Sequence, residues 1–335
     1  MSSARRGMTL IELLLVLAIL AMLAGLLVSS ADGMMDRARL DETERRGQAV
    51  VEAVLGDGKE ASRFMADMGR PPILLSTESG KQLSELWEPG ANGRRYGQAT
   101  TPAVPWPLED TGVSGLPTSF TLDCGWRGPY LDIPGTQFFD GWPAGGWSLF
   151  LSPDLITKTL VHPNTDGSFP ADHANKYILG FQSRGGDGKV GGDSWVNKDI
   201  TYPHGDNDFG NRRSELTVLV YVRDENEPYS YVPAEAVGDS PGYDCLRAAL
   251  IVPEMSGTTR AAIAHVREAS SGHEIAFESD PSKPSDPPLF PGPRKLYVYA
   301  YKSGDKASLK SCGEPIPVDL KPGPNTVRVY LSKDL

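Results

Sequence analysis

From Leu10 to Val28 every residue except Glu12 is apolar or glycine, a run long enough to cross a bilayer. Arg5 and Arg6 precede it and Asp32 follows it, a charge asymmetry that predicts an N-terminus held in the cytoplasm and a body sent across. A secretory signal peptide has an apolar core of about 7–15 residues ending at a small-residue cleavage site, and this run is longer and continues apolar. Glu12 is the anomaly. A carboxylate inside a membrane costs roughly 2.5–3.5 kcal/mol on insertion scales, so its position calls for a positively charged partner.

Helical character continues from Met34 to Leu55, with opposite charges three and four residues apart, as in Asp41 with Arg45 and Glu42 with Arg46. Only Val50, Val51, Val54 and Leu55 offer an apolar face, and Gly56-Asp57-Gly58 ends the element. A second helix is expected from Glu60 to Asp67, stopped by Gly69 and the Pro71-Pro72 pair. The stretch from Glu88 to Thr121 is dense in Pro, Gly and Thr and reads as an excursion of the head. From Ser214 the texture changes to alternating runs at Leu216–Val222, Ala248–Val252, Lys295–Tyr301 and Thr326–Leu331, with turn formers between them. Spaced strands without long intervening helices predict an antiparallel sandwich. Thr258 to Glu268 reads as a helix, or through Ala261–Val266 equally as a strand.

Composition narrows the function. The 33 basic and 43 acidic residues give a net charge of −10 with no basic tract, which argues against nucleic-acid binding. The three cysteines, Cys124, Cys245 and Cys312, lack any C-x-x-C spacing, so neither zinc nor a thioredoxin-type site is expected. A body outside the cytoplasm permits a disulfide, and Cys245 with Cys312 is the expected pair because both fall in one domain, leaving Cys124 as a lone buried thiol. The five histidines form no H-E-x-x-H, and no serine lies in a G-x-S-x-G elbow, so no enzyme is expected.

The segment Arg5-Arg6-Gly7-Met8-Thr9-Leu10-Ile11-Glu12 resembles the leader and mature start of type IV pilins and type II secretion pseudopilins. The resemblance implies that a prepilin peptidase cuts after Gly7 and that Met8, in place of the commoner phenylalanine, becomes the methylated N-terminus. It also implies that Glu12 meets the freed amine of a neighbouring subunit, a charge neutralised on assembly. The implied partners are the peptidase, other pilin or pseudopilin subunits and an inner-membrane assembly platform. The implied location is the inner membrane, single-pass, with a periplasmic body that later enters a filament.

Trp126-Arg127-Gly128-Pro129-Tyr130 and Phe139-Asp140-Gly141-Trp142 are similar to elements that lead the major pseudopilin into its small sheet, and core packing is the expected use of their aromatics. The glycine-rich run from Leu179 to Ile200 resembles the calcium loop of the major pseudopilins. On that resemblance Asp187 and Asp193 are the expected Ca2+ ligands, with Ser194 and Asp199 second and backbone carbonyls completing the six to eight oxygens. Ser194–Lys198 stands where that family is acidic and small, and a solvated Gly-Asp turn accounts for the same residues. His204–Gly210 is a further acidic loop without the bidentate glutamate of an EF-hand. Gly292–Tyr299 and Val318–Val327 are loosely similar to the closing strands of transthyretin-like sandwiches.

The expected fold class is therefore α+β: a long N-terminal transmembrane helix, a pilin-like head with a small antiparallel sheet, and a C-terminal β-sandwich of transthyretin-like or Ig-like type. The expected boundaries are 1–7 for the leader, 8–56 for the helix, 57–213 for the head and 214–335 for the sandwich. The expected function is a structural subunit of a type II secretion pseudopilus or type IV pilus-like filament, placed at a tip or low-copy position because a bulky extra domain hinders a repeating shaft. The alternative is a minor type IV pilin whose C-terminal domain binds a surface or a protein.

Overall fold

The computed structural model describes residues 10–56, 63–88, 106–108, 116–122, 124–133, 137–142, 146–205, 208–223, 231–233, 245–253, 262–269, 273–278, 288–302, 305–311 and 313–331. Helix α1, Leu10–Leu55, is 46 residues long, about 70 Å at 1.5 Å per residue. It ends at Gly56, which takes a positive φ of 70° while its N–H closes the last turn on the Glu52 carbonyl at 2.9 Å. Helix α2, Arg63–Met68, stops at Gly69, whose N–H bonds the Met65 carbonyl at 2.8 Å.

The body is mostly β. Two short strands, β1 (Trp106–Pro107) and β2 (Ser119–Phe120), form a ribbon. Strands β3 (Ser148–Ser152), β4 (Thr159–Val161), β5 (Tyr177–Ser183) and β6 (Ile200–Tyr202) form an antiparallel sheet in the order β4-β3-β5-β6. Then follow β7 (Ser214–Arg223), β8 (Tyr231–Pro233), β9 (Cys245–Pro253), β10 (Ala262–Glu268), β11 (Glu274–Phe277), β12 (Gly292–Lys302), β13 (Asp305–Ser311), β14 (Ile316–Leu320) and β15 (Gly323–Leu331). They divide into a five-stranded sheet, β10-β9-β12-β13 with β14 also on β12, and a four-stranded sheet, β11-β7-β15 with β8 also on β7.

The expected fold class is corrected on three points. No helix among the described residues is long and apolar enough to cross a membrane. The described apolar part of α1 starts only at Leu10 with Glu12 in its first turn, and from Asp32 the same helix is densely charged. The C-terminal part is not an all-antiparallel sandwich, because β15 lies parallel to β7 from Ser214↔Gly323 to Val222↔Leu331. Nor does the rest form an α+β pilin head with one small sheet: beyond α1 the only described α-helix is the six-residue α2, and strands supply the remaining architecture. The segment open to two readings is a strand, since Ala262–Glu268 pairs along its length with β9.

Alternation along β9 and β12 explains how the layers stack. One face of the five-stranded sheet, with Ala248, Leu250, Val252, Leu296 and Val298, packs on Leu216, Val218, Val220 and Val329 of the four-stranded sheet. The opposite face, with Ala249, Ile251, Tyr297 and Tyr299, joins the core that holds Val50, Val54, Phe64, Met65, Trp147 and Phe181. Period-two side-chain geometry makes one sheet serve two cores. Arg294, fully buried, donates to the nearby carbonyls of Phe290, Pro291 and Pro293 at 2.8–3.2 Å, and across the seam its Nη1 lies 3.6 Å from Cys124 Sγ. Burial pushes the Arg294 guanidinium below its usual range.

Candidate functional site

Three regions bear on function: the start of α1, its joint with the body, and the glycine-rich loop between β5 and β6. Gly7 and Met8 lie outside the described residues. Glu12 stands in the first turn of α1 among exposed apolar neighbours, with Leu10 at 78% exposure, Ile11 at 74% and Leu15 at 62%. The body of the chain leaves this face of the helix uncovered as far as Leu23.

The joint is built by small residues on α1. Thr43, wholly buried, donates to the Arg39 carbonyl at 2.8 Å and accepts the Gly141 N–H at 2.9 Å. A Cβ at Gly141 would overlap the Arg39 carbonyl, and one at Gly47 would overlap the Tyr202 ring, so glycine at both places lets the backbones approach. Arg46 donates to the Phe139 carbonyl at 2.8 Å and to Glu42 at 2.6 Å. Hydrogen bonds from Arg45 and then Arg46 hold the Glu42 carboxyl well below the usual range, at about 2. Asp140, buried beneath the joint, accepts from Ser183 Oγ at 2.7 Å and from the Trp142 N–H, and burial pushes its carboxyl up. Burial likewise raises the Tyr202 phenol to about 12, and its hydroxyl has no hydrogen-bond partner among the described residues. The sequence showed the charged pairs of this helix. It gave no sign of the joint beyond Thr43 and Gly47 standing four apart among charged residues, a spacing that places them on one face.

The glycine-rich loop is pinned by its own backbone. Gly186 N–H donates to Val196 O at 2.8 Å, Gly191 N–H to Asp199 Oδ2 at 2.9 Å, and Asn197 N–H to Ser194 O at 3.1 Å. The loop leans on Trp142, whose ring would lie 3.1 Å from a Cβ at Gly186. Asp187 is exposed, with Oδ1 accepting the Lys189 N–H at 3.1 Å; Asp193 and Ser194 are also exposed. Asp199 differs, because its Oδ1 is shielded from solvent and has no hydrogen-bond partner among the described residues. No three His, Cys, Asp or Glu side chains come together as a metal cluster among those residues. A calcium ion here would therefore draw on Asp199 and on backbone carbonyls more than on a carboxylate cage. Asp208, in the following acidic segment, caps a short turn by accepting the Asn211 N–H at 2.9 Å.

The cysteines are spread out. Cys124 is buried, its Sγ 3.3 Å from the Pro293 carbonyl. Cys245 opens β9 opposite Tyr301, and Cys312 lies outside the described residues. The aromatic elements act in packing: Trp126 Nε1 donates to the Glu85 carbonyl at 2.9 Å, and the Tyr130 hydroxyl donates to Asp67 at 2.9 Å.

Residues 2–28 match the family described as the prokaryotic N-terminal methylation motif. That match supports the type IV pilin-like and pseudopilin class, covers the N-terminal segment alone, and implies processing by a prepilin peptidase. No curated protein matches the chain. A solved leucine-rich repeat protein from Bacteroides thetaiotaomicron is similar at 10% identity over 56% of this chain and 24% of its own, with a TM-score of 0.18. The chain thus spans about a quarter of that protein, and the likeness carries no argument.

Proposed function

We propose that the chain is a non-enzymatic, minor or tip-located subunit of a type II secretion pseudopilus or type IV pilus-like filament, made as a precursor and assembled through α1 and Glu12. The observation that carries the reading is the methylation motif at residues 2–28 running directly into a helix whose apolar face around Glu12 is left exposed. An apolar face of that size demands cover, and neighbouring copies of the same kind of helix supply it. The freed amine of Met8 then offers Glu12 an opposite charge at low dielectric. Residence at the inner membrane before assembly, on an assembly platform, belongs to the same proposal, as does a role in protein secretion. A disulfide between Cys245 and Cys312 and a calcium ion held near Asp199, Asp187, Asp193 and Ser194 belong to it too.

The second reading is a minor type IV pilin whose C-terminal part binds a surface or a protein. It is favoured by the size of the nine-strand region after Ser214, more than a repeating shaft needs. Co-expression with a prepilin peptidase followed by intact-mass measurement tests the shared core of both. The expected product lacks residues 1–7 and carries a methyl group, and Gly7→Ala leaves the precursor uncut. An uncut wild-type chain would remove the proposal.

A further inference from the structure

Large apolar side chains that stay exposed are gathered at one end of this molecule. Among the described residues they lie on α1 as far as Met35 and on the glycine-rich loop, with Ile156 and Tyr330 as the two exceptions. Met34 is 72% and Met35 52% exposed on the helix, and Val190 64% and Trp195 50% on the loop. Trp126, Trp142 and Trp147, by contrast, are buried. The loop belongs to the same end of the body as the apolar run of α1. Its Gly186 packs on the Trp142 ring, and the adjoining Gly141 meets the Arg39 carbonyl, one helical turn beyond Met35. Hydrogen bonds from the Gly186, Gly191 and Asn197 N–H groups pin the loop, so Trp195 is held at the surface instead of folding inward.

We infer that, before assembly, the Val190–Trp195 loop rests on the headgroups of the bilayer that holds α1, with Trp195 as its anchor. This rests on the inner-membrane residence proposed above and adds a second membrane contact to it. Position and charge select the bilayer as occupant. The apolar run ends at Val28, and Met34 stands six residues further on, about 9 Å of helix. The polar zone of a bilayer is about 5–8 Å deep on each side, so the methionines stand at its outer rim and the body begins just beyond. Membrane helices tilt by about 20° on average, which lowers one side of a body onto that rim. Charge is balanced in both places. On the loop Asp187 and Asp193 offset Lys189 and Lys198, all four exposed. On the helix Asp32 and Asp36 offset Arg37 and Arg39. A surface without net charge matches zwitterionic headgroups, which pair a phosphate with an ammonium, and gives an anionic lipid no reason to collect there.

Tryptophan suits that depth. Its ring is apolar and its Nε1–H is a donor, so it gains most where hydrocarbon and water meet. Lys189, next to Val190, lays its stem along apolar surface while its ammonium stays in water. A loop already pinned loses little freedom on docking. One helix alone leaves the body free to turn about its axis, whereas helix and loop together fix its tilt and rotation, as interfacial anchors do. The loop thereby presents each subunit in one orientation before it leaves the membrane.

The test uses the full chain, one copy per phosphatidylcholine nanodisc, with lipids brominated near the headgroup end of their acyl chains as quenchers. Tryptophan emission of the parent should fall relative to unbrominated discs, and Trp195→Phe should lose most of that fall. Adding Tyr330→Trp to Trp195→Phe should not bring it back, because β15 lies in the sheet stacked farthest from α1. Exchanging part of the phosphatidylcholine for phosphatidylglycerol should leave the quenching as it was. The melting temperature of Trp195→Phe should match the parent's, because the side chain is half exposed. Parent emission that stays unquenched in discs holding the chain, or quenching that survives Trp195→Phe, would overturn the loop contact and leave membrane residence standing. Quenching that returns with Tyr330→Trp, or that needs two chains in a disc, would overturn it equally. Failure of the chain to enter the discs would overturn both.

Discussion

Asp199 Oδ1 is the side-chain oxygen best placed to want a cation: it is shielded from water and has no described partner, while the other oxygen of the same carboxylate is satisfied by Gly191. Leaving a charged acceptor dry and unpaired costs more than leaving a neutral one. Millimolar calcium should therefore raise the melting temperature relative to chelator, by an amount corresponding to about 2.7 kcal/mol at a hundredfold excess over Kd. Asp199→Asn should lose most of the shift. An unchanged melting curve in the parent would count against any calcium at this loop. The loop's Asp and Gly content was legible in the sequence because turns are written in local residue types. Which of the four candidate side chains would keep a shielded, unpaired oxygen was not, since that depends on where the Gly191 and Asn197 amides end up. Arg70 and Glu85 make the same point from the other side. They form a buried ion pair with the Ile73 N–H also on Glu85 at 2.9 Å, and a separation of fifteen positions hides the partnership.

At the scale of the element, α1 carries its charged pairs and its stop in local sequence, because three-and-four spacing and glycine termination are both short-range. The four long alternating runs were equally legible and became β7, β9, β12 and β15. Their direction was not. Alternation says that a segment is a strand but is silent on whether its neighbour runs parallel, and β15 runs parallel to β7. The docking of α1 was also hidden, because it depends on Gly47 receiving the Tyr202 ring. Gly47→Ala places a methyl group into that ring and should cost about 1–3 kcal/mol, read as a lower denaturant midpoint. A midpoint equal to the parent's would mean that the helix shifts freely on the body.

At the scale of the whole molecule, one sheet has both of its faces buried. Ala249, Ile251, Tyr297 and Tyr299 belong to the core formed with α1, α2 and the first sheet, so the face they occupy is part of the interior on both sides. The Phe120 and Tyr297 rings meet across the seam at 6.4 Å. Residues 214–335 expressed alone should therefore show exposed apolar surface and no sharp thermal transition, while the full chain should unfold in one cooperative step. Two well-separated transitions in the full chain would show instead that the seam is weak. The alternating texture that begins at Ser214 coincides with the start of β7. It could not reveal that the strands beyond it complete the core begun before it, since shared burial leaves no mark on turn or charge statistics.

The parallel zip between β7 and β15 also sets an order of events. Ser214 and Gly323 are neighbours in space but 109 positions apart in the chain, and β7 has β15 along one whole side. Pairing so remote closes slowly, because the loop entropy is lost before any ladder bond returns it. A chain emerging N-terminus first presents β7 long before β15 exists, so that edge of β7 waits without its ladder until β15 arrives. The last ladder of the second sheet is thus completed at the far end of the chain, and a factor that keeps the nascent chain extended through that interval should raise the yield of folded protein.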